Sequence, residues 1–238
     1  MTTVLLVRHG RTAANASGLL AGWTPGVALD ERGREQAQAL AARLAPVPLA
    51  AVVTSPLERC VETGAALLGE RTEPVPVVDE RLGECRYGDW TGQEIKRLAK
   101  DPLWKVVQAH PSGATFPGAE GESMRAMQQR AVDAVRGHDA AVRERAGDGA
   151  VWVAVSHGDV IKAVVADALG LHLDQFQRIV VDPCSVTAVS YTETRPFVLR
   201  LNDTGGDLAP LVPPRPKGRR RRSRSSDATV GGGAGAGR

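Results

Sequence analysis

A chain of 238 residues is long enough for one sizeable α/β domain and short for two, and its 42% hydrophobic content supports an ordinary core, which Val, Leu and Ala must fill because only 4% of residues are aromatic. No apolar stretch approaches the roughly 20 residues that cross a bilayer, and no basic segment followed by a long apolar run opens the chain, so a membrane partner is not expected and the expected location is the cytoplasm. The net charge of +3 averages two regions: residues 1–214 hold 22 basic and 26 acidic residues (−4), and residues 215–238 hold eight basic and one acidic (+7). A mildly acidic body with a cationic end is not the pattern of a nucleic-acid-binding domain, which carries its basic residues on a folded face. Cys60, Cys85 and Cys184, odd in number and without a CxxC, read as structural thiols of a reducing compartment.

Strand-like and helix-like segments alternate along the chain, which predicts a mainly parallel sheet covered on both faces. Residues 4–7 (Val-Leu-Leu-Val) form the first strand, and a loop of small residues follows. In residues 31–44, Ala37, Leu40, Ala41 and Leu44 fall on one helical face. Ala51-Val52-Val53 is a second strand. Ser55-Pro56-Leu57-Glu58 then predicts a helix start, with Ser as N-cap, Pro at the first position and Glu closing a capping box; that helix runs to about residue 68. Residues 75–78 form a short third strand, and residues 90–122 a loop-and-helix insertion. A long helix over 122–145, a strand over 151–155 and a helix over 159–169 come next, and residues 186–191 and 197–201 form an antiparallel pair. Past Asp203 the chain turns Gly-, Pro- and Arg-rich. Residues 1–203 are therefore expected to be the catalytic domain and 204–238 a disordered basic tail. The Arg219-Arg220-Arg221-Arg222 run is expected to bind polyanions weakly at low salt, and the tail to stay clear of the site, so that truncation after Pro214 leaves catalysis unchanged.

Two short strings carry the chemistry. Arg8-His9-Gly10-Arg11-Thr12 follows the first strand, and Ser156-His157-Gly158 follows the strand over 151–155. Each His therefore stands just past the carboxyl end of a buried strand, where open α/β sheets place their ligands. Arg59 lies in the first turn of the helix after the second strand, whose N-terminus opens on the same edge and is itself an anion site. Cationic and imidazole groups gathered on one edge repel unless an anion is shared between them. The combination suits phosphoryl transfer, in which one imidazole attacks phosphorus while guanidinium groups and the other imidazole hold the oxygens. Metal ligation is the rival use of two histidines. It wants a third ligand and neutral imidazoles, which neighbouring arginines disfavour, so neither a metal nor a cofactor is expected. His110, in the insertion, is a candidate for a surface loop position or for reaching the substrate, and His138 and His172 read as helix-surface and loop residues. Trp90 and Trp104 are candidates for a pocket wall or for core packing, and Ser156 for a phosphate contact or a strand cap.

Taken with Asn15, Ser55-Pro56-Leu57-Glu58-Arg59, Leu82-Gly83-Glu84 and Tyr87-Gly88-Asp89-Trp90, these strings resemble the histidine phosphatase superfamily, in the branch of the cofactor-dependent phosphoglycerate mutases and the α-ribazole phosphatase-type enzymes. The resemblance spans roughly residues 3–201. It implies a three-layer α/β/α sandwich with a mainly parallel central sheet. His9 would be the phosphate-accepting nucleophile, and Arg8, Arg59 and His157 would bind the phosphoryl oxygens with Asn15 lining the pocket. Glu84 would protonate the leaving alkoxide and then activate water, for which partial burial and a raised pKa are expected.

Two departures bear on the reaction. Many family members carry Asp-x-Pro-Leu-Thr before the first long helix, whereas this chain has Gly26-Val27-Ala28-Leu29-Asp30, so substrate choice does not carry over. The segment between Glu84 and His157 lacks the paired arginines with which the mutases hold a substrate carboxylate; Lys96, Arg97, Lys100 and Lys105 are its nearest basic substitutes. The sequence therefore favours a phosphomonoester hydrolase acting on a small phosphorylated metabolite. A phosphomutase using the same intermediate is the alternative, and a non-catalytic phosphate sensor or scaffold the minor one. A homodimer is left open, and no specific nucleic-acid partner is expected.

Overall fold

The computed structural model describes residues 1–206 and 230–233. Its centre is a sheet of six strands, β1 (Thr2–Arg8), β2 (Leu49–Thr54), β3 (Val77–Val78), β4 (Val151–Ser156), β5 (Val186–Tyr191) and β6 (Pro196–Asp203). Their spatial order is β3-β2-β4-β1-β5-β6. The pairs β2–β3, β2–β4 and β1–β4 are parallel, and β5 joins β1 and β6 antiparallel. The α/β/α architecture with a mainly parallel sheet is the one the sequence implied.

The pleat sends alternate residues of each central strand into opposite layers, and both layers are dry. Val4, Leu6, Trp152 and Ala154 face one core, whereas Leu5, Val7, Val153 and Val155 face the other. The second core is closed by α2 (Glu31–Leu44) and α3 (Glu58–Leu68), through Ala37, Leu40, Leu44, Cys60 and Leu67. The first is closed by α6 (Met124–Ala146) and α7 (Gly158–Ala168), through Met127, Ala131, Val135, Ile161 and Val165. Two flanking layers explain why these strands read as unbroken apolar runs rather than as alternations.

Local departures from the sequence expectation have identifiable causes. The loop after β1 contains a short helix, α1 (Ala13–Ser17), because Thr12 and Asn15 cap it reciprocally. Helix α3 begins at Glu58 with Leu57 as its N-cap and no side-chain cap bond. The predicted Ser55 cap is absent because Ser55 Oγ lies 2.8 Å from His157 Nε2 and retains only a long 3.3 Å bond from the Leu57 N–H. The insertion holds α4 (Ile95–Leu98) and α5 (Pro102–Ala109). Trp90 is buried edge-on to Phe116 and stacked against Trp104, so its ring is a core element and not a pocket wall. Among the described residues no helix is long and apolar enough to cross a membrane.

The expectation that everything past Asp203 stays clear of the site fails at residues 230–233. Val230 is fully buried in the core that covers α7, and Gly231 and Gly233 line the pocket beside His9. The Arg219–Arg222 run and the other residues of 207–229 and 234–238 lie outside the described residues.

Candidate active site

Strand register assembles the site. In the β1–β4 pair Arg8 is opposite Ser156, so the next residues, His9 and His157, emerge side by side at the carboxyl edge. The His9 N–H donates to the Ser156 carbonyl (3.0 Å), and the two imidazole centroids are 5.2 Å apart. On the other side of β4 the Ser55 N–H continues the β2 ladder to the Val155 carbonyl (2.9 Å), which brings Ser55 to His157. The N-terminal turn of α3 then delivers Arg59 over the same edge.

His9 is nearly inaccessible, and its Nδ1 lies 2.7 Å from the Gly10 carbonyl. A carbonyl can only accept, so Nδ1 carries the proton and Nε2 keeps its lone pair. Burial first, then the Arg59 and Arg8 charges, hold this imidazole well below its ordinary pKa, so it is neutral at physiological pH. Thr63 Oγ1 accepts the Gly10 N–H (3.1 Å) and donates to the Arg59 carbonyl (2.7 Å), linking the loop after His9 to the helix that carries the guanidinium.

Arg59 Nη2 donates to the Gly22 carbonyl (2.8 Å) and to His157 Nδ1 (3.3 Å). With Nδ1 accepting, His157 carries its proton on Nε2 and donates it to Ser55 Oγ. Burial, followed by Arg59 and His9, lowers the His157 pKa well below the usual range. His157 therefore stands behind the pocket as a neutral partner of Arg59, and the positive charge of the site resides in guanidinium. Arg8 is likewise withdrawn. It is fully buried, with Nη1 donating to the Val181 carbonyl (2.9 Å) and Nη2 to the carbonyls of Gly231 and Gly233.

Glu84 is 4% exposed, and its pKa is pushed up to about 7, by burial first and then by the nearby charge of Asp159, against the lowering pull of Arg59. Its Oε1 accepts the Cys85 N–H (2.9 Å), and its Oε2 is 3.8 Å from His157 Nδ1. The loop bearing it is held by three side chains that sequence reasoning did not single out for this purpose. Trp23 Nε1 and Arg130 Nη2 donate to the Glu84 carbonyl (2.6 and 3.0 Å), and Ser156 Oγ donates to the Leu82 carbonyl (2.7 Å). The role of Ser156 is thus to fix this loop. Gly83 is needed where it is, since a Cβ there would sit 2.4 Å from the Trp23 ring.

Of the residues proposed from sequence, His9, Asn15, Arg59 and Glu84 share one pocket with Thr12, Leu19, Leu20, Gly22 and Ile95. Arg8 and His157 do not line it; they were expected to touch phosphate directly, and the structure gives both of them other partners. The Asn15 Oδ1 accepts from the Thr12 N–H (3.1 Å) and hydroxyl (3.0 Å), which leaves its amide nitrogen as the donor available to a ligand. Lys96, Arg97, Lys100 and Lys105 are absent from the pocket lining. His110 and His172 are surface residues near Asp174, whereas His138 is half-buried with Nε2 2.8 Å from Asp79 Oδ2. Among the described residues no three His, Cys, Asp or Glu side chains gather as a metal-binding group. Asp159, buried beside His157, was missed. Its Oδ2 accepts from the Tyr87 hydroxyl (3.0 Å), and its Oδ1 is 3.5 Å from Lys162 Nζ.

A neutral imidazole, a guanidinium and a protonatable carboxyl surround one pocket at the carboxyl edge of an α/β/α sheet, a set that suits phosphoryl transfer, and residues 4–204 match the histidine phosphatase superfamily (branch 1). The chain belongs to that superfamily and is an enzyme of the phosphatase or phosphomutase kind. It is 30% identical to phosphoserine phosphatase 1 of Hydrogenobacter thermophilus, across 86% of this chain and 93% of that protein. It is 27% identical to a 2,3-bisphosphoglycerate-dependent phosphoglycerate mutase of Gloeobacter violaceus, across 90% and 97% of the two chains. Among solved structures, YhfR of Bacillus stearothermophilus superposes with a TM-score of 0.75 at 31% identity, covering 85% of this chain and 98% of that one.

Proposed function

We propose that the chain is a phosphomonoester hydrolase working through a phosphohistidine on His9, with a small phosphorylated metabolite as substrate. Its relatives include proteins named as phosphatases of phosphoserine and of glucosyl-3-phosphoglycerate, which supports the substrate class. The observation that carries the reading is the composition of the pocket wall among the described residues: His9, the carboxyl of Glu84, and Arg59 as the one Arg or Lys. A mutase must also grip the dephosphorylated substrate so that it is re-phosphorylated before it leaves, and the described pocket offers no second cation for a carboxylate.

The lone pair of His9 Nε2 forms a bond to phosphorus while the bond from phosphorus to the ester oxygen breaks. The proton on Glu84 passes to that oxygen, so an alcohol departs and the carboxylate remains. Arg59 faces the phosphoryl oxygens with a planar pair of donors, and the Gly10 carbonyl stabilises the Nδ1–H as the ring becomes cationic. In the second half, Glu84 takes a proton from water as the water oxygen attacks phosphorus. The P–N bond then breaks, and inorganic phosphate and neutral His9 are restored. Arg8 and His157 act from behind, Arg8 by fixing the strand end and His157 by orienting Arg59.

The reading takes no metal, cofactor or specific nucleic-acid partner, places the enzyme in the cytoplasm, and allows a homodimer, which light scattering would detect. A panel of phosphorylated metabolites assayed for inorganic phosphate tests it. Phosphate release without a bisphosphorylated primer is the expected result. Primer-dependent isomerisation with little free phosphate would establish the mutase instead.

A further inference from the structure

We propose that residues 230–233 form a working wall of the active-site pocket that limits the size of the ester it admits; the proposal rests on the reading of that pocket as a phosphate site. The turn belongs to a stretch that composition alone assigns to a tail, yet it is docked by groups of opposite charge on its two sides. The Gly231 N–H donates to Asp159 Oδ2 (2.8 Å), while the Gly231 and Gly233 carbonyls accept from Arg8 Nη2. The N–H faces the anion and the carbonyls face the cation, as a peptide seated in a matching cleft requires.

Asp159 and Arg8 are both fully buried, where polar side chains must find hydrogen-bond partners within the protein. The turn is therefore part of how this site satisfies its interior charges. Val230 anchors it by burying its whole side chain against the core over α7. The two anchoring charges lie beside the chemistry in sequence. Arg8 precedes His9, and Asp159 follows His157 by two residues and raises the Glu84 pKa, so the position of the turn is tied to both halves of the site.

The wall itself is backbone. Val230, Gly231 and Gly233 line the pocket with His9, Arg59 and Glu84, around about 390 Å³ of empty space including the open mouth. Gly231 has φ +74, and a Cβ on it would lie 3.0 Å from Leu20 Cδ1 and 3.7 Å from the Tyr87 hydroxyl. The left-handed backbone favours glycine here, and a side chain would be strained and would press on Leu20, itself a lining residue. A wall set this close leaves a large leaving group no room on that side.

The test uses the full chain. kcat and KM are measured for a small ester, phosphoglycolate, and a bulky one, a nucleoside 5′-monophosphate, in the wild type and in Val230→Asp and Gly231→Ala. Val230→Asp and Gly231→Ala should shift the bulky-to-small ratio of kcat/KM upward by roughly tenfold, the low end of what a pocket wall contributes to discrimination. The shift should appear in KM for the bulky ester. Gly231→Ala introduces no core charge, so its ratio stands alone if Val230→Asp does not fold. An unchanged ratio in Gly231→Ala, whatever the absolute rates, overturns the proposal. Calorimetry with non-hydrolysable phosphonates of the same two sizes separates the two readings. A size preference in binding that Gly231→Ala relaxes, without turnover of any ester, supports the wall and refutes the hydrolase; turnover with an unrelaxed preference does the reverse.

Discussion

Arg130 and Glu84, 46 residues apart in sequence, are joined through the backbone: Arg130 Nη2 donates to the Glu84 carbonyl at 3.0 Å. The same guanidinium donates through Nη1 to the carbonyls of Arg81 (2.7 Å) and Gly83 (2.8 Å), and through Nε to Glu122 Oε2 (3.0 Å). One side chain on α6 thus gathers the loop that presents Glu84, the proposed general acid. Arg130→Ala is expected to lower kcat on alkyl phosphates by about 100-fold, the scale of an ångström-sized misplacement of a catalytic group. KM should change little, and an activated aryl ester, whose leaving group needs no proton, should lose much less. Equal losses on both esters would show that the clamp supports the fold rather than Glu84.

The proposed nucleophile is testable directly. His9→Ala should reduce turnover by about 10⁴-fold or more, as removal of a covalent nucleophile does, with its circular dichroism unchanged. Acid quenching of the wild type during turnover should trap a phosphoryl group on His9 that is labile to acid and stable to base. Label on His157 or on a carboxylate would assign the chemistry elsewhere.

The thiols should be inert. Cys60, Cys85 and Cys184 are buried and unpaired, and burial pushes Cys60 and Cys184 up to about 12 and Cys85 well above the usual range. A thiolate-selective disulfide reagent should therefore label none of the three in the native enzyme and all three in denaturant. Rapid native labelling of Cys85, the neighbour of Glu84, would mean that the acid's loop opens in solution.

The central strands β1 and β4 were legible because they are buried on both faces, so residues 4–7 and 151–155 spell their position locally, and the histidines follow from where those runs stop. Helix α2 was legible for the same kind of reason, with Ala37, Leu40 and Leu44 repeating at the helical period. The supports of Glu84 left no such trace. Trp23 and Arg130 reach it across 61 and 46 residues, and no local pattern encodes a side chain bound to a distant carbonyl. Ser55 misled because the best capping sequence in the chain is diverted to a histidine 102 residues away. Val230 was invisible for a compositional reason: one valine among glycines cannot raise the mean hydropathy of a stretch, although a single prepared cleft is enough to bury it. Asp159 was in plain view beside His157, where an acid in a first helical turn reads as a partner of the helix dipole.

The pH dependence of Glu84 has two linked consequences. A general acid must be protonated, so with its pKa at about 7, kcat/KM on alkyl phosphates should fall as pH rises past neutrality. His9 must be neutral, and its lowered pKa keeps it so into the mildly acidic range, which places the optimum on the acid side of neutral. Stability carries the same proton. A carboxyl at about 7 in the folded chain against 4.5 unfolded binds more proton when folded between those values. Its contribution is therefore fully present below pH 4.5 and is lost as pH rises through 7, by on the order of 3 kcal/mol. Glu84→Gln cannot titrate, whereas the lowered histidines, which act in the opposite sense, remain in both chains and cancel in the comparison. The melting temperature of Glu84→Gln should gain on that of the wild type steadily from pH 5 to about pH 8, while its alkyl-phosphatase activity loses the alkaline decline. A constant difference in melting temperature across that range would place the Glu84 pKa near its unfolded value and remove its assignment as the acid.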